Sequence, residues 1–337
     1  MMKMQLDHSI KASKASRIRY YKTHGHSRLC YYITSRSSKS EKQLIHPHQR
    51  SIYRANNTLY HASPRLPRPP NKTSKMTCNY GSYKSGSTVA RKPLPLTILI
   101  IGGNRGIGLA FVRQYVALGF NVYTTYRKCS ESEALELFAL EAKNPNNLKV
   151  MTLDLADEDS INQAAEDFDG KQLDVLINCG AVCELNRPAL ETTADELMSR
   201  FRINCVGPFL TTRAFLPHLK RSRNLTGGDR SPLVVNMTSE MASLTENRPG
   251  NRPGTCLSYR ASKAALNMTT VTLARELEDE GVACVALSPG RCVTKMAKWR
   301  GLMDPAESVE VMVDVIDSLR FDDSAKFLNF DGRSIAW

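Results

Sequence analysis

The 337 residues carry 46 Lys+Arg against 33 Asp+Glu, but the excess sits at one end. Residues 1–92 hold 19 basic and 2 acidic side chains, leaving 27 against 31 for the rest, so the part with folding potential is mildly acidic. That balance argues against a nucleic-acid-binding domain, and the lack of any run near the roughly 20 apolar residues a spanning helix needs argues against a membrane protein.

The segment 1–92 reads as a disordered basic leader. It contains six of the seven histidines, shows no helical or strand period, and includes Pro64-Arg65-Leu66-Pro67-Arg68-Pro69-Pro70, which neither a helix interior nor a central strand accommodates. Too little apolar surface is available there to offset chain entropy. Three explanations stay open for it: an organelle transit peptide, a basic tail, or an upstream extension of a chain that natively begins near Met76. A cytoplasmic location is expected, with a mitochondrial one if the leader is a transit peptide. The nine cysteines show no metal-ligand spacing and read as reduced thiols.

From Thr97 onward strand-like and helix-like stretches alternate. TILII at 97–101 is a continuous apolar run, as a strand buried on both faces requires. Helical spacing follows over 106–118, a strand over 122–126, a helix over 131–142, a strand over 148–153 and a helix over 157–168. LDVLIN at 173–178 is the fourth strand. A long helix is expected over 194–219 with a kink at Pro208, then strands at 233–238 and 282–287 around a helix at 257–280. A helix at 306–319 and a short strand at 327–330 close the chain. Such alternation predicts one doubly wound α/β domain over 93–337, a parallel sheet of six to seven strands with helices on both faces. A small tandem, Asn247-Arg248-Pro249-Gly250 and Asn251-Arg252-Pro253-Gly254, must be loop.

Between the first strand and first helix lies IGGNRGIG. Gly102, Gly106 and Gly108 there permit a sharp turn and close approach of a pyrophosphate, which the free N–H groups of a helix start then receive. A dinucleotide is therefore expected. An acid at the end of the second strand would bond the ribose 2′-hydroxyl of NAD. The strand instead ends TTYRK, with Arg127 and Lys128, and Arg105 stands in the glycine loop. Cations at that place favour a 2′-phosphate, hence NADP(H) over NAD(H).

SYRASKAALN places Tyr259 and Lys263 four apart, on one face of a helix. An ammonium beside a phenol favours phenolate, so a lowered tyrosine pKa and proton transfer near neutral pH are expected. Ser239, Asn178 and Pro289-Gly290 follow three strands at the edge where open α/β sheets bind ligands, and Asn204 lies in the helix after the fourth strand.

With these motifs together, residues 96–337 resemble the short-chain dehydrogenase/reductase family, and within it the sniffer- and C-factor-like carbonyl reductases. The likeness is carried by GGNRGIG at 102–108, Tyr259-Arg-Ala-Ser-Lys263, Asn236-Met-Thr-Ser239, Asn204 in FRINCVG, and PGRCVT at 289–294. It implies NADPH-dependent reduction of a ketone or aldehyde. Tyr259 would be the general acid, Ser239 would bond the carbonyl oxygen, Lys263 would tune Tyr259 and grip the nicotinamide ribose, and Asn204 would hold a relay water. Cofactor contacts would come from Gly102, Asn104, Arg105, Gly106, Ile107, Gly108, Arg127, Asp154, Leu155, Asn178, Tyr259, Lys263, Pro289, Gly290, Val293 and Thr294.

Several positions depart from the family pattern. Ile101 replaces a threonine, the strand-four motif is Asn178-Cys179-Gly180-Ala181, and Lys295 stands where an acid is common. The interval from Ser239 to Tyr259 is long, and Trp299 is expected as an apolar wall for substrate. Cys183 is expected near the pocket without a chemical role. A sensing protein that binds NADP(H) with little turnover is the alternative to an enzyme, and monomer, homodimer and homotetramer stay open.

Overall fold

The computed structural model describes residues 96–337 except 169–171, 184–187, 227–230, 249–254 and 299. The basic leader, most of the Asn-Arg-Pro-Gly tandem and Trp299 lie outside the described residues. The described residues belong to one compact unit.

Seven strands form one parallel sheet: β1 (Thr97–Ile101), β2 (Asn121–Tyr126), β3 (Leu148–Thr152), β4 (Val175–Asn178), β5 (Leu233–Met237), β6 (Ala283–Ser288) and β7 (Phe327–Asn329). The helices are α1 (Gly106–Ala117), α2 (Leu135–Lys143), α3 (Glu158–Glu166), α4 (Ala194–Phe201), α5 (Gly207–Thr226), α6 (Leu257–Glu276) and α7 (Pro305–Ser318). Strand order is β3-β2-β1-β4-β5-β6-β7, so the winding reverses between β1 and β4. A crevice opens at the carboxyl ends of strands at such a reversal.

Burial follows the two-residue period of the strands. Ile98 and Ile100 pack with Phe111, Val112, Tyr115, Met312 and Val313 from α1 and α7 on one face. Leu99 and Ile101 pack with Ile161, Phe215, Leu219 and Leu273 from α3, α5 and α6 on the other. All five residues of β1 are buried, which accounts for its unbroken apolar run.

The helix expected over 194–219 is longer and interrupted. A capping box at Thr193 and Glu196 starts α4, and five residues with π-helical winding, Arg202–Val206, separate it from α5. Pro208 therefore sits in the first turn of α5, where its missing N–H costs little. Irregular winding, rather than a proline kink, places Asn204 in the core. The second helix also starts later than expected, because Lys128–Glu133 forms a 3₁₀ segment first.

At the opposite edge of the sheet, buried Asp174 clasps β1 to α5. Its carboxylate accepts from the Thr97 N–H at 2.7 Å and the Ser222 hydroxyl at 2.6 Å. Removing it strands a buried donor, so Asp174→Ala is expected to lower stability by about 1.5–3 kcal/mol in urea denaturation. A loss within experimental error would show that water or a neighbour replaces the carboxylate.

Candidate active site

The crevice at the β1–β4 reversal is a cleft of about 520 Å³, within the range that binds small molecules and cofactors. Its floor is the turn from β1 into α1. Gly102 has φ +85°, and a Cβ there would lie 2.9 Å from the Gly180 Cα. A Cβ on Gly103 would meet the Thr124 hydroxyl oxygen at 1.9 Å, and one on Gly108 the Gly102 carbonyl oxygen at 2.1 Å. The turn thus tolerates only glycine where the backbone folds on itself. Arg105 provides no side-chain cap for α1, and the first turn of α1 carries no acid. The residues that open α1, Gly106, Ile107 and Gly108, line the cleft, and the first N–H groups of a helix are a ready receptor for an anion. The glycine turn and the uncapped helix start both fit a dinucleotide pyrophosphate.

Fourteen of the residues assigned from sequence line this cleft. Gly102, Asn104, Arg105, Gly106, Ile107 and Gly108 come from the turn, Arg127 follows β2, and Asp154 and Leu155 follow β3. Tyr259 and Lys263 come from α6, and Pro289, Val293 and Thr294 from the loop after β6. Asp154 is fixed by its own turn, its carboxylate accepting from the Ala156 N–H at 2.9 Å. Thr294 reaches the glycine turn, its methyl 3.7 Å from a Cβ built on Gly106.

Four assigned residues are not part of that lining: Asn178 and Asn204 are buried behind it, while Ser239 and Gly290 are partly exposed and follow the lining residues Thr238 and Pro289. Asn178 is 1% exposed and its side-chain amide donates to Asn236 Oδ1 at 2.8 Å, so Cys179, Gly180 and Ala181 form the cleft surface there. Asn236 in turn donates to the Thr270 hydroxyl at 2.9 Å, joining β4, β5 and α6 through a buried polar ladder. Asn204 exchanges two 2.9 Å bonds with the backbone of Val182 and donates to Ser262 at 3.0 Å. Both amide donors of Asn204 are thereby used within the protein. Gly290 turns with φ +70° against Phe330. Ser239 caps the short turn after β5 through the Met241 N–H at 3.2 Å and hydrogen-bonds the Tyr259 phenol.

The electrostatics of the Tyr259–Lys263 pair correct the sequence expectation. Burial pushes the Tyr259 phenol pKa up rather than down, opposed by the hydrogen bond with Ser239. Burial likewise pulls Lys263 down to about 8. The Lys263 ammonium donates to the Met237 carbonyl at 2.7 Å, at the end of β5, instead of to the phenol. Loss of hydration outweighs the attraction expected from spacing alone. The Cys179 thiol, in the same wall, is pushed up to about 12 by burial and stays neutral.

Sequence reasoning passed over Glu133, which pairs with Arg105 and Lys295. The signal was present as an acid seven residues beyond the end of β2, but only the 3₁₀ segment brings it back to the cleft. The Met237 carbonyl was also missed, since backbone acceptors leave no mark in side-chain pattern.

A model of the short chain dehydrogenase family matches residues 96–303. An uncharacterized oxidoreductase of Schizosaccharomyces pombe is 30% identical over 260 residues, covering 71% of this chain and 96% of that protein. The C-signal protein of Myxococcus xanthus is 34% identical over 165 residues, 49% of this chain and 93% of that one. Among solved structures, NADPH bound carbonyl reductase from chicken fatty liver shares 34% identity with a TM-score of 0.66, covering 72% of this chain and 95% of that chain. Carbonyl reductase Sniffer of D. melanogaster shares 28% identity with a TM-score of 0.66, covering 72% and 100%. Among the described residues no helix is long and apolar enough to cross a membrane. The chain belongs to the short chain dehydrogenase family and is a nicotinamide-dependent oxidoreductase.

Proposed function

We propose that the protein reduces a ketone or aldehyde to an alcohol using NADPH, with Tyr259 as the proton donor. The observation that carries this reading is the Ser239–Tyr259 hydrogen bond beside buried Lys263, on the wall of a cleft whose floor is the glycine turn. NADPH would supply hydride at the carbonyl carbon. The glycine turn and the start of α1 would hold its pyrophosphate, with Asp154 and Leu155 flanking the adenosine end. Arg127, whose guanidinium donates to the neutral Ser130 hydroxyl at 3.3 Å, would receive a 2′-phosphate. The NADPH carried by the chicken carbonyl reductase structure supports that preference.

A phenol with a raised pKa is fully protonated at neutral pH, which suits it to give a proton to an oxygen that is gaining charge. Ser239, already bonded to that phenol, would donate to the same carbonyl oxygen and stabilise it as electrons arrive. The phenolate left behind is costly in a buried site, which sets the task of Lys263. With a pKa near 8 its ammonium holds a proton it can release close to physiological pH, to restore the phenol. Asn204, locked to Val182 and Ser262, would position the wall rather than exchange protons through its side chain.

Two outcomes test this reading. Mixed with activated aromatic aldehydes or diketones, the protein should consume NADPH absorbance, and Tyr259→Phe should cut kcat by about 10²–10⁴ while leaving NADPH affinity intact. Full turnover in Tyr259→Phe would contradict the assignment, and NADPH binding without consumption across the panel would favour a sensing role. The second outcome concerns pH. Between about pH 8 and 10.5 the folded chain binds fewer protons at Lys263 than the unfolded chain, so that side chain's contribution becomes more favourable as pH rises. Relative to Lys263→Met, the wild type should therefore be least stable below about pH 8 and recover toward pH 10.5 in chemical denaturation. A pH-independent difference would mean the ammonium keeps its hydration in the fold.

A further inference from the structure

The segment after β2 brings a carboxylate to Arg105, one of the cations expected to face a phosphate, and to Lys295. Glu133 ends the Lys128–Glu133 3₁₀ turn and lies between Arg105 of the glycine turn, Nε to Oε2 3.4 Å, and Lys295 of the loop after β6, Nζ to Oε1 2.7 Å. Arg105 and Lys295 both line the cleft with Arg127 and Asp154, and Glu133 pairs with them from outside that lining. A second carboxylate, Glu136, pairs with Arg113 at the same end. The cations gathered there are therefore partly neutralised by the protein itself. The hydrogen bond from Lys295 and the charges of Arg105 and Arg127 hold Glu133 below the usual carboxylate range, so it is ionised at neutral pH.

Two dinucleotides differ at this end by one group. A ribose 2′-phosphate brings about two negative charges and needs cations free to meet them, whereas a 2′-hydroxyl brings none. A carboxylate already held by Arg105 and Lys295 repels the first and is indifferent to the second. The end of β2 carries no acid, as the sequence reads, but the turn that follows it delivers one.

We propose that Glu133 is a positioning residue that moderates selectivity for the 2′-phosphorylated dinucleotide by occupying Arg105 and Lys295 as their resident counter-ion. The inference rests on the reading that this cleft binds NADP(H). All three side chains are more than a third exposed, so each pair is screened and contributes modestly.

Equilibrium binding of NADPH, NADH, 2′,5′-ADP and 5′-AMP to the full chain, to Glu133→Gln and to Glu133→Asp tests it. Glu133→Gln should tighten NADPH and 2′,5′-ADP by about two- to five-fold, the range open to an exposed ion pair, and leave NADH and 5′-AMP unchanged. Glu133→Asp should stay near wild type, and the gain in Glu133→Gln should shrink as salt rises. Equal shifts for phosphorylated and unphosphorylated probes would overturn the proposal in favour of a purely structural role for the turn. So would selective weakening of NADPH, which would make Glu133 a clasp over the cofactor. Wild type that binds NADPH with no response to Glu133→Gln defeats this inference alone. Wild type that binds neither dinucleotide defeats the functional reading beneath it as well.

Discussion

Where β1 and β4 part, Gly102 and Gly180 pass so closely that a single methyl on the first would sit 2.9 Å from the second's Cα. The site depends on that approach. It lets the chain leave β1, turn within a few residues and start α1, uncapped, at the crevice. Because Gly108 also packs on the Gly102 carbonyl, any side chain at these positions would lift α1 from the sheet and widen the floor. The floor in turn sets how far a dinucleotide's two ends can reach. In the proposed reading one end would lie toward Asp154 and Arg127, after β3 and β2, and the other toward Tyr259 and Lys263 on α6, all of which line the cleft.

At the reacting end, burial is the dominant influence. A tyrosine and a lysine one helical turn apart would tune each other on an exposed face, yet here both are shifted toward their neutral forms by loss of water. Both shifts would serve the proposed reduction: a phenol that holds its proton until oxygen gains charge, and an ammonium close to its own titration point. Rigidity comes from the polar ladder behind the wall, where Asn178, Asn236 and Thr270 tie β4 and β5 to α6, and Thr238 donates to Asn267 at 2.7 Å. Those bonds fix the helix face that carries the pair.

Much of this was legible in residue order. Residue patterns located every strand to within about two residues, most plainly β1, β4, β5 and β6, which are buried along their whole length, and the glycine spacing marked the turn. Other features were not legible for stated physical reasons. Asn178 and Asn204 occupy positions that pattern assigns to a site, but only three-dimensional pairing reveals that their amide N–H groups donate inside the protein. The π-helical winding at Arg202–Val206 has no period to detect. Glu133 reaches Arg105 and Lys295 through the 3₁₀ segment after β2, so those pairings could not be read from distance along the chain.

The central claim is that one cleft seats a dinucleotide with its nicotinamide against Tyr259. A crystal structure of the full chain with NADPH tests it most directly. The account predicts the pyrophosphate on the glycine turn, the ribose 2′-phosphate near Arg127, and the nicotinamide beside the Tyr259 hydroxyl. Cofactor bound elsewhere, or seated there with Tyr259 turned away from the nicotinamide, would contradict it.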